Sequence, residues 1–160
     1  MPLPLSFVDS TVLIYAFDGT GTSRQVVAAQ LLVDLRRDDA LLLSTQVLNE
    51  TYRNLTNPRA STGRAPLSHA VAMAVVARLI SEAHAVVAMS TATCLRGYDL
   101  SDRHRMHLWD AMILAAAEEA GAIVLYTEDM PGAVNVSTGK IEAVTYIKPF
   151  AIPPARTSSP

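Results

Sequence analysis

The chain has 160 residues, of which 50% are hydrophobic and 18% charged, and its formal net charge is −2. That balance excludes a disordered polymer and supports one compact domain able to bury a real core. It also leans against a broad phosphate-binding surface, so any contact with nucleic acid must draw its positive charge from bound metal, from local arginines, or from both.

A single cysteine, Cys94, rules out an internal disulfide. The opening MPLPLSFVDS has no basic stretch ahead of an apolar run and is not expected to be a signal peptide. The most apolar long segment, Leu67 to Met89, is broken by His69, Arg78, Glu82 and His84 and is not expected to span a bilayer. The expected compartment is the cytoplasm, with no membrane contact.

In chain order, Leu5 to Asp9 reads as a short buried strand, with Ser10 or Thr11 capping a following helical turn. Ser23 to Arg37 reads as a helix with Val26, Val27, Gln30, Leu31 and Asp34 at helical spacing. Asp39 to Ser44 is a second buried strand. Thr45 starts a helix to Leu55 whose stripe is Val47, Leu48, Thr51, Tyr52 and Leu55. Thr56 to Pro66 is a loop by its Pro, Gly and Ser content. Helix resumes from Leu67 to Glu82, and His84 to Met89 is a third strand. A polar stretch from Thr91 to Arg103 leads into a helix from Met106 to Ala120, closed by Gly121. Ile123 to Tyr126 is a fourth buried strand, and one or two edge strands follow between Asn135 and Phe150.

Strands that are continuous apolar runs, alternating with helices, predict a mainly parallel sheet covered on both faces: an α/β fold. Residues 1–150 form the expected single domain, and 151–160 a flexible tail.

Ligands of open α/β sheets collect beyond the carboxyl ends of strands. Asp9 directly follows one strand there, and Asp129 follows another by a short turn, Thr127-Glu128. Asp110 has apolar neighbours on its helix, Trp109, Ala111, Ile113 and Leu114, and Glu50 flanks the stripe of its own helix. A carboxylate at the edge of a core needs compensation. A salt bridge to Arg53, Arg103 or Arg105 would supply it; so would a shared cation. Carboxylates with water suit Mg²⁺ or Mn²⁺.

These residues also carry a resemblance. Phe7-Val8-Asp9-Ser10-Thr11, Ser44 to Glu50, Leu108-Trp109-Asp110-Ala111 with the alanine-rich turn after it, and Val124 to Met130 resemble, in order, the four acidic blocks of PIN-domain ribonucleases. Ile147-Lys148-Pro149-Phe150 resembles their closing strand, with Lys148 where Asn is more common. Met130-Pro131-Gly132 departs from the usual turn. The resemblance covers Leu5 to Phe150 and implies a three-layer α/β/α sandwich. It implies that Asp9, Glu50, Asp110 and Asp129 hold Mg²⁺ or Mn²⁺ and are catalytic, supported by Thr127 and Ser10. Glu128, read as an exposed neighbour of Asp129, is the alternative ligand.

The activity implied is metal-assisted endonucleolytic cleavage of RNA. The single-domain form resembles the toxins of VapBC toxin–antitoxin pairs. Relatives of that kind form homodimers and are silenced by an antitoxin, here expected to dock on the apolar faces between Ser23 and Leu55. Alternatives are a catalytically silent PIN-like binding module and a housekeeping nuclease without an antitoxin. A phosphatase or receiver-type domain is disfavoured because Asp9-Ser10-Thr11 lacks a second Asp. His107, Cys94, the methionines and the loop arginines Arg59 and Arg64 are assigned no part in the chemistry.

Overall fold

A computed structural model describes residues 1–130 and 138–151. The turn at Pro131-Gly132 and the expected tail beyond Ala151 lie outside the described residues. Chain order gives β1 (Ser6–Val8), α1 (Ser10–Phe17), α2 (Ser23–Arg37), β2 (Leu41–Ser44), α3 (Thr45–Thr56), α4 (His69–Glu82) and β3 (Ala85–Val87). There follow α5 (Thr91–His104), α6 (Leu108–Glu119), β4 (Val124–Tyr126), β5 (Thr138–Ile141) and β6 (Val144–Ile147).

The strands form one sheet in the order β3-β2-β1-β4-β6-β5. Every neighbouring pair is parallel except β5 with β6, an antiparallel hairpin at the sheet's edge. Phe7 lies level with Leu42 of β2 and Leu125 of β4, and all three side chains are fully buried. Apolar side chains on both faces of these central strands require cover on both sides, and the helices provide it in a three-layer α/β/α sandwich.

Between β1 and β4 the winding reverses. From β1 the chain runs outward to β2 and then β3, and it returns to place β4 on the other side of β1. The crevice at such a switch point, beyond the carboxyl ends of the strands, is where α/β folds build sites.

Several helices differ from expectation in instructive ways. On α2 the buried residues are Ala28, Leu32 and Leu35. Val26 and Val27, expected inside, are exposed, as is Val33. The apolar residues of α2 surround most of the helix, so periodicity alone did not say which side faces inward.

The polar stretch after β3 is a helix of its own, α5. Ser90 caps it, and the Ser90 and Thr93 side chains exchange hydrogen bonds with each other's backbone N–H. Its inward face carries Thr93, Gly97 and Leu100, small or polar residues that conceal the usual apolar stripe. Gly97 lets α5 approach α6: a Cβ there would lie 2.5 Å from Met112 Sδ and 3.4 Å from Met112 Cα. Met73 is exposed on α4, and Cys94 is only half-buried. Gly121 ends α6 with φ +72°, as expected of a glycine past a helix C-terminus. No helix among the described residues is long and apolar enough to cross a membrane.

Gly97→Val should overpack the α5–α6 contact and destabilise the fold by about 1–3 kcal/mol, read from urea unfolding. Gly21→Val, at an open turn whose added Cβ meets no atom within 4 Å, tests backbone strain without overpacking.

Candidate active site

Asp9 follows β1, and its backbone continues the sheet by donating from N to the Tyr126 carbonyl of β4 (3.0 Å). Its side chain caps α1 by accepting from Ser10 N, so the cap is Asp9 itself and not Ser10 or Thr11. Capping and site chemistry are therefore both read from one carboxylate. Asp9 is 2% exposed.

The Asp9 carboxylate is held from both sides. Thr127 Oγ1 donates to Oδ2 at 2.7 Å, and Ser10 Oγ approaches Oδ1 at 3.2 Å. Ser10 Oγ also donates to Glu50 Oε2 at 2.7 Å, which ties α1 to α3. The next residue, Thr11, donates to Asp129 Oδ2 at 2.9 Å. Thr127 Oγ1 accepts from Asp129 N at 3.2 Å and so shapes the turn after β4. The first turn of α1 thus reaches three of the four acids expected in the site, and its N-terminal N–H groups place a partial positive charge among them.

Asp110 sits half-buried in the first turn of α6, where its own helix also presents a positive end. His107, the exposed residue that precedes α6, is close enough to favour the ionised Asp110. Burial nonetheless pushes the Asp110 carboxyl up, with further contributions from the charges of Asp129 and Glu50. The Asp9 carboxyl is pushed up to about 6, chiefly by burial, with the charges of Asp129 and Glu50 adding to it and the Thr127 and Ser10 hydrogen bonds opposing it. Asp9, Glu50, Asp110 and Asp129 therefore share one field.

The salt-bridge alternative for these acids fails among the described residues. Arg103 pairs with Asp99 and Glu142, and Arg105 approaches Asp102. No ion pair there joins an arginine, lysine or histidine to Asp9, Glu50, Asp110 or Asp129. Arg59, expected to be a loose loop arginine, pairs with the buried Asp18 at 3.1 Å.

Although the four acids are neighbours, no three acidic, histidine or cysteine side chains among the described residues stand ready to grip one ion. Each of three carboxylates is turned instead to a hydroxyl: Asp9 to Thr127, Glu50 to Ser10, Asp129 to Thr11. Glu128 is half-buried rather than exposed, and its Oε1 accepts from Phe150 N at 3.3 Å.

Two residues of the site escaped the sequence reading. Thr11 holds Asp129, and the hydroxyl pair Ser10-Thr11 directly after Asp9 was the available signal. Gln46 Nε2 donates to Glu50 Oε1 at 2.9 Å and to the Trp109 carbonyl at 3.2 Å, joining α3 to α6. Its position four residues before Glu50 was the signal there.

Residues 6–130 match the PIN domain family. The chain belongs to that family. As a PIN domain it is a nuclease, a hydrolase of phosphodiester bonds. Its fold is similar to that of VapC20 from Mycobacterium tuberculosis, described as a toxin that cleaves the sarcin–ricin loop. The two share 23% identity with a TM-score of 0.58, over 78% of this chain and 89% of that one. It is also similar to VapBC2 from Rickettsia felis, solved bound to a DNA fragment from the promoter of that pair. There the identity is 13% and the TM-score 0.54, over 76% of this chain and 85% of that one. At these identities the likeness is one of fold. Comparison with curated proteins gives no match.

The buried acid makes this PIN domain sensitive to pH. The folded-state pKa of Asp9 lies above its unfolded value of 3.8, so the protonated form favours folding. Its stabilising contribution is complete below about pH 4 and is lost as pH rises through about 6. In metal-free buffer, Asp9→Asn should gain about 2 kcal/mol relative to the parent chain between pH 4 and pH 7. Paired urea titrations at both pH values check it; a stability difference that does not change with pH contradicts it.

Proposed function

We propose that this PIN domain, spanning residues 1–150, is a Mg²⁺- or Mn²⁺-dependent endoribonuclease that acts as the toxin of a VapBC-type pair in the cytoplasm. One observation supports it above the rest. Asp9 is a buried acid, raised to about 6, with Asp129 and Glu50 in its field, the same two carboxylates that act on Asp110, and no cationic side chain is paired with any of the four among the described residues. An uncompensated acidic cluster of this kind suits a bound cation. The donors are oxygens throughout, carboxylate and hydroxyl, a set that fits a hard divalent ion.

Asp9, Glu50 and Asp110 would hold the ion, directly or through water, and Asp129 would complete the set. Bound there, a divalent cation supplies Lewis-acid stabilisation of charge on the phosphate and acidifies a water. Thr127 keeps Asp9 Oδ2 fixed, and Ser10 keeps the Asp9 and Glu50 carboxylates in one register. Thr11 occupies Asp129 Oδ2 and leaves Oδ1 to orient the attacking water. Glu128 faces the Phe150 backbone, which supports Asp129 as the fourth acid.

The fold likeness to VapC20 and to the VapBC2 complex supports an antitoxin as partner. Exposed Val26, Val27 and Val33 on α2 offer such a partner apolar contact, and a second copy of the chain is the other expected partner. An antitoxin arginine would suit the acid cluster through bidentate hydrogen bonds.

Purified parent chain should cleave single-stranded RNA in Mg²⁺ or Mn²⁺, and Asp110→Asn should lower the rate at least about 100-fold while remaining folded. Mg²⁺ at tenfold its Kd should raise the parent's Tm by about 3–6 °C, and EDTA should reverse it. Full activity after chelation, or in Asp110→Asn, would overturn the reading.

A further inference from the structure

Beside the acid cluster lies an open cavity of about 650 Å³ between α3, α5 and α6. Glu50 lines both the cavity and the cluster, so the two are continuous. We infer that this cavity is a base-binding subsite, in which Trp109 stacks on an unpaired nucleobase of the RNA while Asn49 and Arg53 contact its edge and its phosphate. The inference rests on the ribonuclease reading and deepens it by assigning where substrate beyond the scissile phosphate is held.

Trp109 is the chain's one tryptophan and is 56% exposed on the first turn of α6, immediately before Asp110. A large aromatic left half in water at the rim of a cavity is poorly explained by core packing. Its backbone is fixed by Gln46, whose Nε2 bridges the Trp109 carbonyl and Glu50. A base stacked on Trp109 would therefore be registered against the acids through one side chain.

The rest of the lining is suited to a nucleotide. Asn49 is exposed and carries both a donor and an acceptor, the combination that reads a base edge. Asn54 uses its amide N–H on the Glu50 carbonyl, which leaves its oxygen to accept. Arg53 lines the same cavity, and among the described residues it is absent from the ion pairs that occupy Arg36, Arg59, Arg78, Arg96 and Arg103. In a chain of net charge −2, a cation set next to an acidic site and unspent on any carboxylate suits a substrate phosphate. Met112 gives the cavity an apolar wall against which a flat ring can lie. The volume falls within the range of small-ligand pockets.

Trp109 makes the test direct, because its fluorescence is the only tryptophan signal. The Asp9→Asn chain in millimolar Mg²⁺ is titrated with an RNA octanucleotide of randomised sequence, with an abasic octamer of the same phosphate number, and with a basic arginine-containing peptide. In parallel, kcat and KM for single-stranded RNA are measured for the parent, Trp109→Ala, Trp109→Phe and Asn49→Ala. The RNA octamer should quench Trp109 and the abasic octamer should not. Trp109→Ala should raise KM about tenfold or more with kcat little changed, and Trp109→Phe should recover most of the loss. Equal quenching by the abasic octamer, or quenching by the peptide alone, overturns the subsite, as does an unchanged KM in Trp109→Ala while the parent cleaves RNA. That last result leaves the ribonuclease reading intact. Quenching by the RNA octamer with no cleavage by the parent chain supports the subsite and instead removes the ribonuclease reading.

Discussion

The site depends on a carboxylate kept inside the protein with no cationic side chain paired to it among the described residues. Asp9 is nearly inaccessible, yet it is fixed there by the sheet itself, since its N–H continues the β1–β4 ladder. The fold cannot move it to water without breaking that ladder and uncapping α1. The Thr127 hydroxyl and the Ser10 backbone N–H soften the cost by donating to it, but they do not cancel it, and its pKa remains raised to about 6. A protein that keeps such a group has a reason other than stability, because an acid of this kind weakens the fold at neutral pH.

The same turn of backbone gathers the other acids. Asp9, Ser10 and Thr11 are consecutive: Ser10 leads to α3 through Glu50, and Asp9 and Thr11 both lead to the turn after β4, through Thr127 and Asp129. Hydroxyls are suited to this because they neutralise nothing. They hold carboxylates in place while leaving their combined negative potential for a bound ion. Arginine in the same positions would fasten the acids more firmly and fill the site with its own charge. The chain does spend arginines that way elsewhere, in the Arg96, Arg103, Glu118 and Glu142 network that fastens α5.

Much of this was legible in the sequence, and the limits are physical. The central strands were readable because Phe7-Val8, Leu41 to Leu43 and Val124-Leu125 are apolar runs without interruption, as strands covered on both faces must be. Helix α3 was readable because its stripe is narrow. Helix α5 was not, because Gly97 and Thr93 do the packing that leucines do elsewhere, and close approach replaces apolar bulk. The inward side of α2 was misread because its valines, alanines and leucines together lie around most of its circumference. Asp9 and Asp129 drew attention in the sequence by their places after strands, and Asp110 and Glu50 as carboxylates beside apolar helix faces. Their hydrogen-bond partners were less so: Thr127 and Ser10 emerged from the resemblance, whereas Thr11 and Gln46 act across the fold and have no distinct signature alone. The cavity beside Trp109 was invisible, since it is made where α3, α5 and α6 meet.

If the acids are kept for a divalent ion, binding must displace the proton that Asp9 carries when the site is ion-free. Calorimetric titration of the parent chain with Mg²⁺ at pH 6, in two buffers of different ionisation enthalpy, measures ion and proton together. The account predicts saturable binding with release of about half a proton at pH 6, since the Asp9 carboxyl titrates at about 6. Release should fall to near zero at pH 8, and binding should be lost in Asp9→Asn. Absence of saturable Mg²⁺ or Mn²⁺ binding, or binding that Asp9→Asn leaves unchanged, would contradict it.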